Sequence, residues 1–188
     1  MLYLFCILKE EIILKYYIML KEKMEKALNE QINKEFYSSY LYLSMSAYAQ
    51  SIGLPGVSSW MKVQAKEELT HANKFFDYVH ERNAKVVLAP IGAVDSEFGS
   101  VVELFEKILE HEEYISESIN KLADISIELS DHATRSLLLW FIDEQVEEEA
   151  SIHEIIDKLK MTEGRGQGLF MIDKELGARV FVDSTVNA

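Results

Sequence analysis

Four stretches of the chain carry apolar residues at alternating three- and four-residue spacing, and a glutamate interrupts each stripe near its middle. The first runs Leu28, Ile32, Glu35, Ser39, Tyr42, Ser46, Ala49, and the second Met61, Ala65, Glu68, Ala72, Phe75, Val79. The third is Val101, Phe105, Ile108, Glu112, Ile115, Ile119, Leu122, and the fourth Thr134, Leu138, Phe141, Gln145, Glu148, Ile152, Ile155, Leu159. This spacing holds one face of an α-helix against a neighbouring helix. The fold class is therefore all-α, and the carboxylates point inward, where an unpaired charge is costly. Each interruption falls about halfway along its helix, so bundle packing brings Glu35, Glu68, Glu112, Gln145 and Glu148 to one level. No Lys or Arg occupies a stripe, and a cation from outside the chain is expected to balance the layer.

With 188 residues and 48% hydrophobic content, the chain suffices for one well-packed domain. A net charge of −13 disfavours a nucleic-acid surface and favours steering of cations. The single cysteine, Cys6, excludes an internal disulfide framework and a CxxC metal knuckle, which suggests a reduced, cytoplasmic setting. Residues 1–18 stand apart. Their apolar run, residues 2–8, lacks a basic leader, meets Lys9, Glu10 and Glu11, and falls short of the roughly 20 apolar residues that span a membrane. No targeting or membrane segment is expected. Met19 sits just before the expected start of the first helix, so the division expected is an extension of unknown role at 1–18, read as an upstream translation extension, and a helical domain at 19–188.

Gly and Pro punctuation at 53–56 places the first helix at residues 21–50 and the second at 57–83, antiparallel neighbours through a short link. Ser100 and Glu103 form a capping box for the third. The fourth starts after Ser130 or Asp131 and ends before Gly164, and a short fifth covers 168–176. The link at 84–99 is too long for an antiparallel turn. Extended at about 3.3 Å per residue it reaches on the order of 50 Å, against roughly 40 Å for such a helix. It can return along the whole bundle and leave the second and third helices parallel, the single long crossover of a ferritin-like fold.

Glu68 and His71 lie three residues apart on one helical face, so a carboxylate and an imidazole can share one metal. The motif alone is weak; its force comes from Glu35, Glu112, Gln145 and Glu148 at the same depth. Four glutamates with a neutral histidine and glutamine balance two divalent cations. Mixed carboxylate and imidazole ligation without thiolate suits iron or manganese, and a ferrous pair points to redox chemistry with oxygen.

The segments Asn29-Glu-Gln-Ile-Asn-Lys-Glu-Phe-Tyr-Ser-Ser-Tyr-Leu-Tyr42, Glu67-Glu-Leu-Thr-His71 and Glu144-Gln-Val-Glu-Glu-Glu149 resemble the non-haem ferritins of bacteria and archaea. The resemblance spans nearly the whole chain from Leu20 to Leu176. It implies a first iron site of Glu35, Glu68 and His71, with Glu68 bridging to a second completed by Glu112 and by Glu148 or Gln145. It also implies a third iron position at Glu67, Glu144, Glu147 and Glu148, lining a path toward a cage interior, and a tyrosine, Tyr42, beside the pair. Tyr42 lies seven residues after Glu35 on the same stripe. The implied function is storage: a ferroxidase subunit that oxidises Fe(II) with dioxygen or peroxide and deposits ferric oxyhydroxide inside a homo-oligomeric shell of about two dozen subunits.

The main alternative is a non-storing di-iron oxidase or peroxidase of the same superfamily. A symmetric site would carry a second ExxH on the fourth helix, where Gln145 and Glu148 stand instead, and a rubrerythrin-like peroxidase would need a cysteine-rich domain. No haem is expected, although Met24, Met45 and Met61 are available. Glu149, His80, His111, His132 and His153 read as surface residues, and Trp140 as core packing.

Overall fold

The computed structural model describes residues 20–187; the expected extension at 1–18 lies outside them. Five helices follow in order: α1 (Glu22–Ser51), α2 (Pro55–Glu81), α3 (Val101–Glu128), α4 (His132–Met161) and α5 (Gly166–Leu176), then a 3₁₀ turn (Ser184–Asn187). Four pack as a bundle and no strand occurs among the described residues. No described helix is long and apolar enough to cross a membrane. Every residue of the four stripes is buried except Ser39, which is half-buried.

Local chemistry sets the helix ends. Gly53, at φ +82°, closes α1 through Leu54 N–H donation to Ala49 O at 3.0 Å, the left-handed stop that glycine supplies without strain. Pro55 opens α2 at its first turn. This is two residues earlier than the spacing suggests, because the cap comes from far along the chain: Asp173 Oδ1 of α5 accepts from Val57 N–H at 2.8 Å. A Cβ on Gly56 would lie 1.6 Å from Asp173 O, so only glycine lets α5 dock there. Ser100 and Glu103 form the reciprocal capping box of α3. Gly164 N–H reaches Leu159 O at 2.8 Å beyond the end of α4, and α5 begins at Gly166, two residues before its expected start.

The crossover between Glu81 and Val101 is laid along α1 by a ladder of side chains. Asn29 donates to Lys85 O at 2.9 Å and accepts from Val87 N–H at 2.6 Å; Asn33 donates to Ala89 O at 3.1 Å, and Ser44 to Asp95 O at 2.6 Å. Tyr48 ends the ladder on Gly99 O. Contacts advance together along both segments, so the crossover runs parallel to α1. It therefore carries the chain from the end of α2 back to the level where α2 began, and α3 runs parallel to α2.

The core is not continuous. One apolar cluster contains Met45, Val57, Trp60, Met61, Phe105, Ile108, Ile152 and Leu159. The other contains Met24, Leu28, Ile32, Phe75, Val79, Ile119, Leu138 and Phe141. Met24, Met45 and Met61 are thus core residues. On each long helix the stripe glutamate lies between the two clusters, so the polar level foreseen from spacing separates two hydrophobic blocks.

Asp131 joins α2 to α4. It caps α4 by accepting from Thr134 N–H at 3.1 Å and takes both Arg82 nitrogens, at 3.0 and 3.3 Å. Asp131→Ala is expected to lose both functions and destabilise the chain by at least the ~1 kcal/mol of a lost N-cap. Asp131→Asn, which keeps a capping oxygen, should lose less; thermal unfolding of the three proteins checks the order.

Candidate metal centre

α1 supplies Glu35, α2 Glu68 and His71, α3 Glu112, and α4 Gln145 and Glu148, and all six side chains are buried. One ligand atom from each of Glu35, Glu68 and His71 lies within 4.8 Å of the others, a span that one cation can bridge. Glu68 Oε2 is 3.7 Å from His71 Nδ1, as three-residue spacing on one helix dictates. Glu35 Oε2 and His71 Nε2 are buried without a hydrogen-bond partner among the described residues. Two orphaned lone-pair atoms in one cluster are costly in a native core, and oxygen and nitrogen donors without sulfur suit a divalent cation such as ferrous iron.

The electrostatics agree. Burial, followed by repulsion from Glu112, Glu35 and Glu148, pushes the Glu68 carboxyl well above the usual carboxylate range. Burial also raises Glu35 and Glu112, and lifts Glu148 to about 7. Burial and mutual repulsion thus oppose four charged carboxylates at this level unless positive charge is supplied.

Neutral amides aim these carboxylates. Gln31 donates to Glu35 Oε1 at 2.7 Å and is itself held by Ser118, whose hydroxyl donates to Gln31 Oε1 at 2.6 Å. Gln64 donates to Glu148 Oε2 at 2.9 Å. Gln145 donates to Glu112 Oε2 at 3.2 Å and to Ser116 Oγ at 3.3 Å, and Tyr42 donates its hydroxyl proton to Glu112 Oε1. Burial and the surrounding carboxylates raise the Tyr42 phenol well above its ordinary value, so it remains a donor. Gln31 and Gln64 escaped the stripe analysis. Each precedes a stripe glutamate by four residues, one helical turn, and that repeat is the signal that finds them.

Beside the layer, Glu67 and Glu144 are half-buried. Burial raises Glu67 to about 7 against the pull of Arg179, whose Nη2 lies 2.7 Å from Glu67 Oε2. Glu144 Oε1 is 4.0 Å from His71 Nε2. Glu147 is exposed. The surface reading of Glu149 needs correction, because it is half-buried and accepts from Ser116 at a small cleft of about 120 Å³ between α3 and α4. His111 is likewise half-buried, 2.7 Å from Ser38 Oγ, and burial lowers it to about 4. His80, His132 and His153 are exposed. Trp140 packs edge-on against His71 at 5.6 Å. The larger cavity, about 730 Å³ along α1 and the crossover, is lined by Asn29, Asn33, Val87 and Tyr114 and touches none of the layer's carboxylates.

Known proteins are similar to this chain in sequence and fold. Residues 25–162 match the model of the ferritin-like domain. The chain is 42% identical over 161 residues to a bacterial non-haem ferritin of Bacteroides fragilis, covering 86% of this chain and all of that protein. It is 39% identical over 156 residues to one from Campylobacter jejuni, covering 83% and 93%. Among solved structures, the open-pore ferritin of the hyperthermophilic archaeon Archaeoglobus fulgidus superposes with a TM-score of 0.84 at 46% identity, covering 86% of this chain and 98% of that one. An engineered closed form of the Archaeoglobus fulgidus ferritin gives 0.85 at 46% identity, covering 87% and 99%. With its family model spanning most of the bundle and relatives this similar along most of their length, the chain belongs to the ferritin-like family as a non-haem ferritin.

Proposed function

We propose that this ferritin stores iron by oxidising Fe(II) at the carboxylate layer and passing Fe(III) to a mineral. The observation that carries this reading is a buried layer of four glutamates with no basic side chain in it and two orphaned ligand atoms, Glu35 Oε2 and His71 Nε2. Glu35, Glu68 and His71 bind the first ferrous ion. Glu68 bridges to a second, which Glu112 and Glu148 complete, and Gln145 holds Glu112 in place through its amide. Two ferrous ions supply the two electrons that reduce dioxygen, with two protons, to peroxide; peroxide itself can serve as the oxidant in a further cycle. Tyr42 positions Glu112 and lies where it can lend an electron. Glu67, Glu144, Glu147 and Glu148 form a third iron position on the way out. Glu147 joins it only by turning inward from its exposed position.

The subunit, residues 19–188, works in this reading as part of a closed or porous homo-oligomeric shell of about two dozen copies in the cytoplasm. Neither nucleic acid nor haem has a part in it.

Aerobic ferrous titration of the assembled apo-protein, followed optically and then sized, tests the assignment. Wild type should oxidise iron rapidly and keep far more in solution than its ligands can hold. Glu68→Ala should lose at least about a hundredfold in initial rate, the upper range for disturbing a metal's surroundings. Oxidation that stops at the ligand count would mean a non-storing oxidase, and equal rates in the two proteins would remove the layer from the mechanism.

Stability should also respond to pH. The layer's carboxyls bind protons more tightly folded than unfolded, so their contribution is complete below the ordinary carboxylate range and falls as pH rises, with the share of Glu148 lost through about 7. The apo-protein should therefore melt progressively lower across that window. A redox-inert divalent cation at a hundredfold excess over its Kd should restore about 2.7 kcal/mol per site at neutral pH. Glu68→Gln should flatten the pH dependence, as calorimetric scans will show.

A further inference from the structure

The segment after α5 turns back across the face formed by α2 and α4, and its side chains end on the acidic groups flanking the carboxylate layer. Arg179 donates through Nη2 to Glu67 Oε2 at 2.7 Å and through Nη1 to Gln64 Oε1. Its guanidinium carbon lies 4.9 Å from the centroid of the Trp60 ring. Gln64 passes the contact inward by donating to Glu148 Oε2 at 2.9 Å. Further along the same segment, Ser184 Oγ donates to Glu144 Oε1 at 3.2 Å. Glu144 in turn faces His71 Nε2 at 4.0 Å, and that buried nitrogen has no hydrogen-bond partner among the described residues.

We propose that Arg179 is the resident counter-ion of the outer cation position at Glu67 and Glu144, and that a divalent cation arriving there displaces it. The proposal rests on the reading of a third iron position above and assigns the residue that sets its affinity. A guanidinium keeps its charge at any accessible pH, so it competes with the incoming metal throughout the working range. Its side chain is 29% exposed against 13% for Glu67, so it can swing to solvent while the carboxylate stays in place. Three anchors hold it: the carboxylate, the Gln64 carbonyl and the face of Trp60, the last a cation–π contact. Displacement frees Glu67 Oε2 for the metal. It also releases the Gln64 oxygen, while the Gln64 amide nitrogen keeps its bond to Glu148. The bond that aims Glu148 is thus kept through the outer exchange, and a cation is held outside only when its charge outweighs that of the arginine.

The test uses assembled full-length apo-protein titrated with Zn²⁺, a redox-inert divalent cation, by calorimetry, with Glu67→Gln identifying the outer equivalent by its loss. Arg179→Gln should bind the outer equivalent about tenfold more tightly, the scale of removing one charge-assisted hydrogen-bond partner. The inner equivalents should change less, since Arg179 reaches them only through its charge on Glu148. Arg179→Lys should fall between the two. In wild type the Trp60 emission, isolated by difference against Trp60→Phe, should change as the outer position fills, whereas in Arg179→Gln it should be already altered and flat. An outer equivalent present in both proteins at equal affinity would overturn the role of Arg179 and leave the third position standing. Weaker binding in Arg179→Gln would also overturn it, making the arginine part of the site's support. No equivalent sensitive to Glu67→Gln in either protein would remove the third position itself, and the proposal with it.

Discussion

Four carboxylates buried at one level of a bundle, with no basic side chain among them, set the terms for the rest of this molecule. Each ion kept from water costs several kcal/mol unless it is paired, and here the partners available to the metal-free chain are protons and neutral amides. The rise of Glu68 well above the carboxylate range, and of Glu148 to about 7, is that cost expressed as proton affinity. Two apolar clusters, one on each side of the layer, offset it by burying residues such as Phe75, Phe141, Phe105 and Met61. A continuous core would be more stable and would bind nothing.

Direction matters as much as charge, since a carboxylate that turns away is no ligand. Glutamines do most of the aiming, because an amide fixes a carboxylate by donation without neutralising it. Gln31 and Gln64 sit one turn before Glu35 and Glu68 on their helices, but only Gln31 serves its own neighbour; Gln64 crosses to Glu148 on α4. Helices supply the rigid base for this arrangement. The crossover makes it possible by bringing α3 in parallel to α2, so that Glu112 arrives at the level of Glu68. That route is encoded in Asn29, Asn33, Ser44 and Tyr48 on the outer side of α1, whose side chains occupy the crossover's backbone groups.

Periodicity made the layer legible because burial and register on a helix are local properties: knowing that Glu35 shares a face with Ile32 and Tyr42 requires no knowledge of the partner helix. The long link was legible for a related reason, since reach and chain length are simple geometry. What was hidden depends on contacts between distant residues. The start of α2 at Pro55 reflects a cap from Asp173, 116 residues away. Glu149 belongs to an acidic run in the sequence, and the hydroxyl that donates to it is on another helix, Ser116 of α3. His111 is likewise partnered from another helix, by Ser38 of α1. Arg179 belongs to an irregular segment, where no repeat reveals which way a side chain will turn.

The ligand set is also unequal between the two halves of the bundle. α2 contributes a carboxylate and imidazole three residues apart, Glu68 and His71, whereas α4 offers Gln145 and Glu148 at the same spacing. A second imidazole would tend to hold a metal pair as a resident cofactor, with similar grip on each ion. On α4 the amide of Gln145, already committed to Glu112 and Ser116, stands in the carboxylate's place and Glu148 in the imidazole's, so in the proposed assignment one ion has an imidazole among its ligands and the other only carboxylates. The proposed all-carboxylate set draws on the helix that also carries Glu144, near enough to Glu67 to raise its carboxyl. An ion that left the layer on this side would meet Glu144 and then Glu67, the second already held by Arg179. The proposed storage role needs a site that releases its product instead of keeping it, and in that role the asymmetry between α2 and α4 would give the direction of release.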